Sequence, residues 1–192
     1  MATIGILCFP EAEELDFVGP WEVYTAAAAL NRTDRVFLVG VEPGLIRCAK
    51  GMTVLAETSL ADCPPLDVVV VPGGSGRRRE SGNAVLLDFL RAHARTGSWV
   101  TSVCTGAFVL ASAGLLTGPA TTHWMHLDEL RDLGIEVRGG VRYVVHGKVA
   151  TAAGVSAGID LSLWLVAELH GAAFAEEVRR YIQYDPDPLR TG

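Results

Sequence analysis

Cys104 is the side chain of this sequence whose neighbours most favour covalent chemistry. It lies in the string Ser-Val-Cys-Thr-Gly, residues 102–106, where an apolar segment meets a run of small residues. This string predicts a strand that turns directly into a helix and projects the cysteine into a cleft, as a nucleophile elbow does. Gly106 would let that helix approach closely. The helix N-terminus would favour a thiolate, so we expect an exposed nucleophile with a lowered pKa.

The other three cysteines are predicted to be buried and chemically inert. Cys8, Cys48 and Cys63 are widely spaced, and the sequence contains no Cys-x-x-C pair. This spacing argues against a zinc site and against a disulfide framework. Reduced thiols are typical of the cytoplasm, and we predict that location.

A glycine-rich turn follows a run of four valines. The N–H groups of Gly73 and Gly74 are then free to approach an anionic atom, and Gly74 with the Thr105 amide could form an oxyanion hole. A simple tight turn is the alternative interpretation. A phosphate loop is not expected, because no Gly-Lys-Ser/Thr follows.

An acidic segment precedes the first predicted helix. Asp16 stands between Leu15 and Phe17 and is therefore the acid expected to point inward. A carboxyl group in an apolar cleft near a thiolate would have a raised pKa and could transfer a proton. The neighbouring acids, Glu11, Glu13 and Glu14, are expected to be solvated.

Histidines and arginines offer further candidates around such a cleft. His123 could be the base of a Cys/His pair, or a hydrogen-bonded structural residue. His126 lies three residues later, but the sequence shows no third ligand, so no metal site is predicted. The arginines at 77–79 are interpreted as a solvated loop, with a role at the cleft entrance as the alternative. The expected pocket walls are Trp21, Phe108 and Trp124.

Strand-like and helix-like segments alternate along the chain and would position these residues. This alternation predicts a mostly parallel sheet with helices on both faces, and ligands then bind beyond the carboxyl ends of the strands. The loops that follow residues 9, 71 and 103 lie at those ends. The predicted strands are residues 3–9, 35–41, 67–71, 99–103, 136–138 and 142–151, with a hairpin at 45–57. The predicted helices are residues 19–30, 84–95, 105–116, 127–133, 156–170 and 174–184, the last stopped by Asp185-Pro186.

Length and composition fit one α/β domain spanning residues 1–192. Hydrophobic residues make up 49% of the 192 residues and charged residues 20%, which excludes a disordered chain. The net charge of −6 does not favour nucleic acid as a partner. The sequence shows no membrane span, and its N-terminus resembles a strand more than a secretion signal.

Longer strings resemble the DJ-1/PfpI superfamily. They are Cys-Thr-Gly-Ala-Phe from residue 104, Thr-Thr-His-Trp from residue 121 and Asp-Phe-Val-Gly-Pro-Trp-Glu-Val from residue 16. Pro-Gly-Gly at 72–74 and Thr-Ala-Ala-Gly-Val-Ser-Ala-Gly-Ile-Asp from residue 151 extend the resemblance over nearly the whole chain. Within the superfamily the sequence is most similar to isonitrile hydratases, and it is also similar to the sensor half of AraC-type regulators.

The resemblance implies a flavodoxin-like (class I glutamine amidotransferase-like) sandwich and a homodimer. It also implies Cys104 as nucleophile, assisted by Asp16 and Thr105, with Gly74 and the Thr105 amide at the oxyanion site. PfpI-type proteases place His directly after the cysteine, so Thr105 argues against proteolysis. Many members carry Glu in the first loop where the hydratases have Asp, and Glu14 is the alternative acid if the register shifts by two residues. The regulator interpretation is disfavoured because no helix-turn-helix half follows before Gly192.

These observations predict an enzyme that hydrates an organic isonitrile to the N-substituted formamide without metal or cofactor. His123 is a further candidate for contacting the small-molecule substrate. Two alternatives use the same cysteine: a redox or ligand sensor, and a glyoxalase-like enzyme that acts on small carbonyl compounds.

Overall fold

The computed structural model describes residues 1–185 and is built around a seven-stranded sheet. Its strands are β1 (Thr3–Cys8), β2 (Arg35–Gly40), β5 (Thr58–Ser59), β6 (Val68–Val71), β7 (Trp99–Val103), β8 (Tyr143–His146) and β9 (Val149–Ala152). The spatial order is β5-β2-β1-β6-β7-β9-β8, and every neighbouring pair is parallel except β8 with β9. The predicted hairpin is present as β3 (Gly44–Arg47) and β4 (Thr53–Ala56), which form a separate antiparallel pair.

Helices cover both faces of this sheet. They are α1 (Glu14–Asn31), α2 (Arg77–Glu80), α3 (Ala84–Ala94), α4 (Gly106–Ser112), α5 (Leu127–Arg131), α6 (Ala157–His170) and α7 (Ala172–Tyr181). Side chains of α1 and α6 share one apolar core, whereas those of α3 and α4 share another. The valines of β6 divide between the two cores: Val68 and Val70 join the first, Val69 and Val71 the second. A strand buried on both faces needs such a continuous apolar run, and the predicted flavodoxin-like sandwich is confirmed.

Several predicted helix boundaries are wrong. The first helix begins at Glu14 rather than Gly19, so Pro20 lies inside it and removes one backbone donor. Helix α4 ends at Ser112 rather than residue 116, because Gly114 adopts a φ of 73° and the Leu115 N–H bonds to the Leu110 carbonyl at 3.0 Å.

Further differences lie near the end of the chain. Residues 136–138 form no strand of their own and make a single bridge between Val137 and Ala120. Helix α7 spans Ala172–Tyr181 instead of residues 174–184. Its predicted stop involves Pro186, which lies outside the described residues. Among the helices of the described range, none is long and apolar enough to cross a membrane.

Candidate active site

The predicted elbow is present at Cys104, between β7 and α4. Its φ is 56°, a left-handed conformation that non-glycine residues rarely adopt. Hydrogen bonds hold the backbone on both sides: the Cys104 N–H donates to the Ala152 carbonyl at 3.0 Å, and the Thr122 hydroxyl donates to the Cys104 carbonyl at 2.9 Å. Strain of this kind persists only where the surroundings enforce it and is common at active sites.

Gly106 allows α4 to start directly against the neighbouring strand, as the sequence predicts. A Cβ atom on this residue would lie 2.3 Å from the Val71 carbonyl oxygen and 2.9 Å from that of Pro72. Both obstacles are backbone atoms, so a larger residue would push the helix away from β6. The tight turn that carries Cys104 therefore depends on this glycine.

Asp16 lies in the first turn of α1 with its side chain fully buried. Its Oδ2 accepts a hydrogen bond from the Gly73 N–H at 2.9 Å. Its Oδ1 is buried and has no conventional hydrogen-bond partner within the described part of the chain, and the carboxyl interacts with the Cys104 thiol. Burial raises the pKa of Asp16 to about 7, against the opposing effect of the Gly73 N–H. The inward orientation and the raised pKa agree with the sequence prediction.

The expected exposed thiol of low pKa at Cys104 is wrong. The residue is 7% exposed, and burial, together with the charge of Asp16, raises the pKa of its thiol to about 12. The N–H groups of Thr105 and Val155 and the Thr105 hydroxyl favour the thiolate but are outweighed. Two buried acids in contact resist a second negative charge, so near neutral pH the sulfur keeps its proton beside a carboxyl that is partly ionised.

The turn at Gly73 and Gly74 lies so close to Asp16 and Thr105 that it leaves no space for a side chain. A Cβ atom on Gly73 would lie 2.5 Å from the Thr105 Oγ1 and 3.0 Å from the Asp16 Oδ2, and one on Gly74 would lie 2.4 Å from the Glu11 carbonyl oxygen. The Gly74 N–H donates to the Thr105 Oγ1 at 3.1 Å. Both glycine N–H groups are thus engaged within the site, and the Thr105 amide interacts with the sulfur. An oxyanion at Gly74 would have to replace the bond to Thr105.

The alternative acid, Glu14, faces a different part of the molecule. Its Oε1 accepts a hydrogen bond from the Lys50 N–H at 2.7 Å, in the turn between β3 and β4. The adjacent Glu13 lines the cavity beside Cys104 and pairs with the Lys50 ammonium. Asp16 is therefore the acid of this segment that the fold brings to Cys104.

A cavity of about 300 Å³ opens above Cys104. The residues that line it are Glu13, Gly74, Ser75, Arg77, Arg78, Cys104, Thr105, His123, Met125, His126 and Val155. His123 is half-buried, and its Nδ1 accepts a hydrogen bond from the Met125 N–H at 3.3 Å. Burial and the neighbouring His126 lower the pKa of His123. The hydrogen bond of His123 is to Met125, and none joins it to the Cys104 sulfur within the described residues, so no Cys/His pair is formed there.

Arg77 lines the cavity, so for this residue the solvated-loop interpretation is wrong and the alternative, a place at the cleft, agrees with the structure. Instead of being solvated it is 7% exposed, with its guanidinium 4.0 Å from the centre of the Phe108 ring. Its Nη2 donates to both carboxylate oxygens of Glu129, at 2.7 and 2.9 Å, and Glu129 also bonds to His126 Nδ1 at 2.8 Å. These bonds lower the pKa of Glu129. The Arg-Arg-Arg string gave no sign that its first member turns inward.

The predicted pocket walls also differ from the observed ones. Phe108 is buried beneath Arg77, Trp124 is 73% exposed, and Trp21 packs against the α1–α6 core. None of these three side chains lines the cavity in the described structure. Within the same described range, no group of three or more His, Cys, Asp and Glu side chains is arranged to hold a metal ion.

Comparisons with known proteins agree with this geometry. The DJ-1/PfpI family model matches residues 2–168. The chain is 40% identical to an isonitrile hydratase of Pseudomonas putida over 187 residues, which cover 96% of this chain and 79% of that protein. It is 25% identical to a glutathione-independent glyoxalase of Caenorhabditis elegans over 174 residues, 86% of this chain and 88% of the relative.

Solved structures give the same result. A ThiJ/PfpI family protein from Pseudomonas syringae superimposes with a TM-score of 0.89 at 30% identity, and the match covers 99% of this chain and 78% of that one. The strand order, the cysteine elbow and the family model together lead to one assignment. The chain belongs to the DJ-1/PfpI family.

Proposed function

We propose that this protein hydrates an organic isonitrile, R–N≡C, to the formamide R–NH–CHO. The observation that carries the proposal is the contact of the buried Asp16 with Cys104, which lines a cavity, in a chain 40% identical to an isonitrile hydratase. Hydration needs a sulfur nucleophile and an acid that can both accept and return a proton. The raised pKa of Asp16, about 7, suits both directions of transfer near neutral pH.

The first step adds the Cys104 S–H across the isonitrile carbon. The Asp16 carboxylate takes the thiol proton as the sulfur forms its bond to that carbon, and the proton is then returned to the same carbon. The product is a thioimidate, R–N=CH–S–Cys104, in which the N≡C bond has lost one π component. Removing the thiol proton during the attack avoids a buried thiolate beside a carboxylate, which burial and repulsion disfavour.

The second step adds water to the thioimidate carbon. Asp16 orients the water, accepts its proton and passes that proton to the nitrogen, which gives R–NH–CH(OH)–S–Cys104. The C–S bond then breaks as the hydroxyl becomes the carbonyl, and the hydroxyl proton is taken up by Asp16. The sulfur recovers its proton and R–NH–CHO leaves, so one water is consumed per isonitrile. No redox change occurs, and we propose that the reaction needs neither metal nor organic cofactor.

Thr105 has a supporting role in this proposal. Its Oγ1 accepts the Gly74 N–H at 3.1 Å, which directs the hydroxyl proton towards the Cys104 sulfur. Gly73 fixes the carboxyl of Asp16. The Thr105 amide is the proposed donor to charge that develops on the adduct, and the Gly74 N–H joins it only after leaving the Thr105 Oγ1. His123 is a further proposed substrate contact.

A glyoxalase-like reaction on small carbonyl compounds is the second candidate, favoured by the similarity to the C. elegans glyoxalase. A peroxide sensor is disfavoured by the raised pKa of Cys104, since peroxide reacts with the thiolate. We propose that the protein acts in the cytoplasm, where its four free cysteines would stay reduced.

The test is formation of the formamide from cyclohexyl isonitrile, with methylglyoxal consumption measured in parallel. The proposal predicts turnover of the isonitrile and little loss of methylglyoxal. Consumption of methylglyoxal without formamide formation, by folded protein with a reduced Cys104, would contradict the proposal and favour the glyoxalase-like reaction.

A further inference from the structure

The cavity above Cys104 has a charged entrance. Two arginines and two histidines, Arg77, Arg78, His123 and His126, line it together with one carboxylate, Glu13. A pocket built for an unsubstituted hydrocarbon group would be lined mainly by apolar side chains. The charged residues of this wall therefore indicate a substrate whose organic group is polar or charged.

Most of these charges already have a partner. Arg77 binds both oxygens of Glu129, and Glu13 pairs with the Lys50 ammonium. Arg78 is different: its side chain is exposed, it lines the cavity, and it forms no ion pair with any residue from 1 to 185. A guanidinium in this position can accept a planar anion at the entrance without first losing a protein partner.

The reacting group itself directs the substituent towards this entrance. An isonitrile is linear through carbon, nitrogen and the first atom of R. When its terminal carbon is at the Cys104 sulfur, which is 7% exposed at the base of the cavity, R must extend outwards. The distal end of R then lies among the entrance side chains.

We propose that the entrance selects isonitriles whose organic group carries a carboxylate, and that Arg78 pairs with this carboxylate. The inference rests on the proposed hydration and specifies its substrate class. His123 supplies a second donor: its Nδ1 accepts the Met125 N–H, so in the neutral ring the proton is on Nε2. A molecule with a net charge of −6 repels anions at long range, and a local cation at the cavity offsets this repulsion.

The experiment compares 4-isocyanobenzoate with its methyl ester as substrates. The ratio of kcat/KM for acid over ester is measured in the wild type, in Arg78→Gln and in Arg95→Gln. Arg95 is an exposed arginine after α3 that does not line the cavity. Arg95→Gln therefore removes one positive charge, as Arg78→Gln does, but leaves the cavity unchanged. The acid and the ester also differ in electronic properties, but this difference is the same for all three proteins. A change in the ratio between proteins therefore measures how the substituted arginine affects recognition of the carboxylate.

We expect the ratio to fall about fivefold in Arg78→Gln, as for one partly solvated charge pair, and to stay unchanged in Arg95→Gln. An equal ratio in wild type and Arg78→Gln would overturn the proposal. A fall of the same size in both variants would also overturn it, because the effect would then come from net charge.

A binding measurement separates this inference from the proposed function. Calorimetric titration of Cys104→Ala with the acid and the ester gives two dissociation constants without turnover. If Cys104→Ala binds the acid more tightly than the ester, and Cys104→Ala/Arg78→Gln does not, the pairing of Arg78 with a carboxylate is supported even if no isonitrile is hydrated. Equal dissociation constants for acid and ester would refute it even if hydration is established.

Discussion

In the proposed mechanism, the reaction depends on a proton that passes between two buried side chains. Asp16 and Cys104 are both deprived of water, which raises the pKa of each, and the charge of Asp16 raises that of Cys104 further. A lone thiolate at a helix N-terminus would be permanently reactive, whereas we propose that this pair releases the thiol proton only as a new bond to sulfur forms. Such an arrangement suits addition of S–H to a neutral substrate.

Asp16→Asn should lower kcat/KM for an isonitrile about 10²- to 10⁴-fold, because the carboxylate that accepts the thiol proton is lost. The wild-type value should rise with pH through a midpoint near 7, where Asp16 becomes ionised. In the variant this rise should disappear or move to much higher pH. A variant with the wild-type profile would show that another group accepts the proton.

The same carboxyl should make folding stability depend on pH. Its pKa is raised from 3.8 to about 7 in the folded chain, so between these values the folded state holds a proton that the unfolded state has lost. Stability due to Asp16 therefore falls as pH rises from about 4 to about 7. The free energy of unfolding, measured with urea, should therefore decrease between about pH 5 and pH 8 by about 2 kcal/mol more in the wild type than in Asp16→Asn. Asp88→Asn, at an exposed carboxylate, is the control for the loss of one carboxylate at the surface.

At the level of elements, the site depends on how closely α4 approaches β6. Gly106 permits this approach, and the elbow residue before the helix is strained with a φ of 56°. The sequence predicted this turn because glycine directly after Cys-Thr, between an apolar strand and a run of small residues, is typical of a strand that turns sharply into a helix. It also predicted the valine strand, which the structure contains as β6.

Gly106→Ala should destabilise the protein by about 2 kcal/mol, because the new methyl group would collide with the Val71 carbonyl and the helix would have to move. Activity should fall with stability as Cys104 shifts away from Asp16. Gly82→Ala is the matched control: its nearest obstacle is the Arg79 carbonyl oxygen at 3.6 Å, so thermal unfolding should change little. Equal effects of the two substitutions would contradict the close-approach argument.

Features that depend on contacts distant in sequence were not predictable from patterns. The pKa of Cys104 was expected to fall, because the sequence shows the helix that follows but not the burial or the carboxyl that oppose it. Arg77 was expected in solvent, because its partner Glu129 is 52 residues away. Inside one helix, Pro20 gave a false start signal for the same reason: packing of α1 against α6 outweighs a local preference.

For the whole molecule, the resemblance to the family leads us to propose a single domain that forms a homodimer. Sedimentation should give a mass about twice the 20.4 kDa of the chain, and unfolding should proceed in one cooperative transition. A species of one chain mass at micromolar concentration, still active, would contradict the dimer. Two separate transitions that persist at all concentrations would contradict the single domain.

The most direct measurement of the central claim is formamide production from cyclohexyl isonitrile by wild type, Cys104→Ala and Cys63→Ala. Cys63 is a half-buried free thiol remote from the cavity, and its variant controls for loss of a cysteine. We predict turnover by wild type and Cys63→Ala and none above background by Cys104→Ala, with all three proteins folded by circular dichroism. Undiminished formamide production by folded Cys104→Ala would contradict the account.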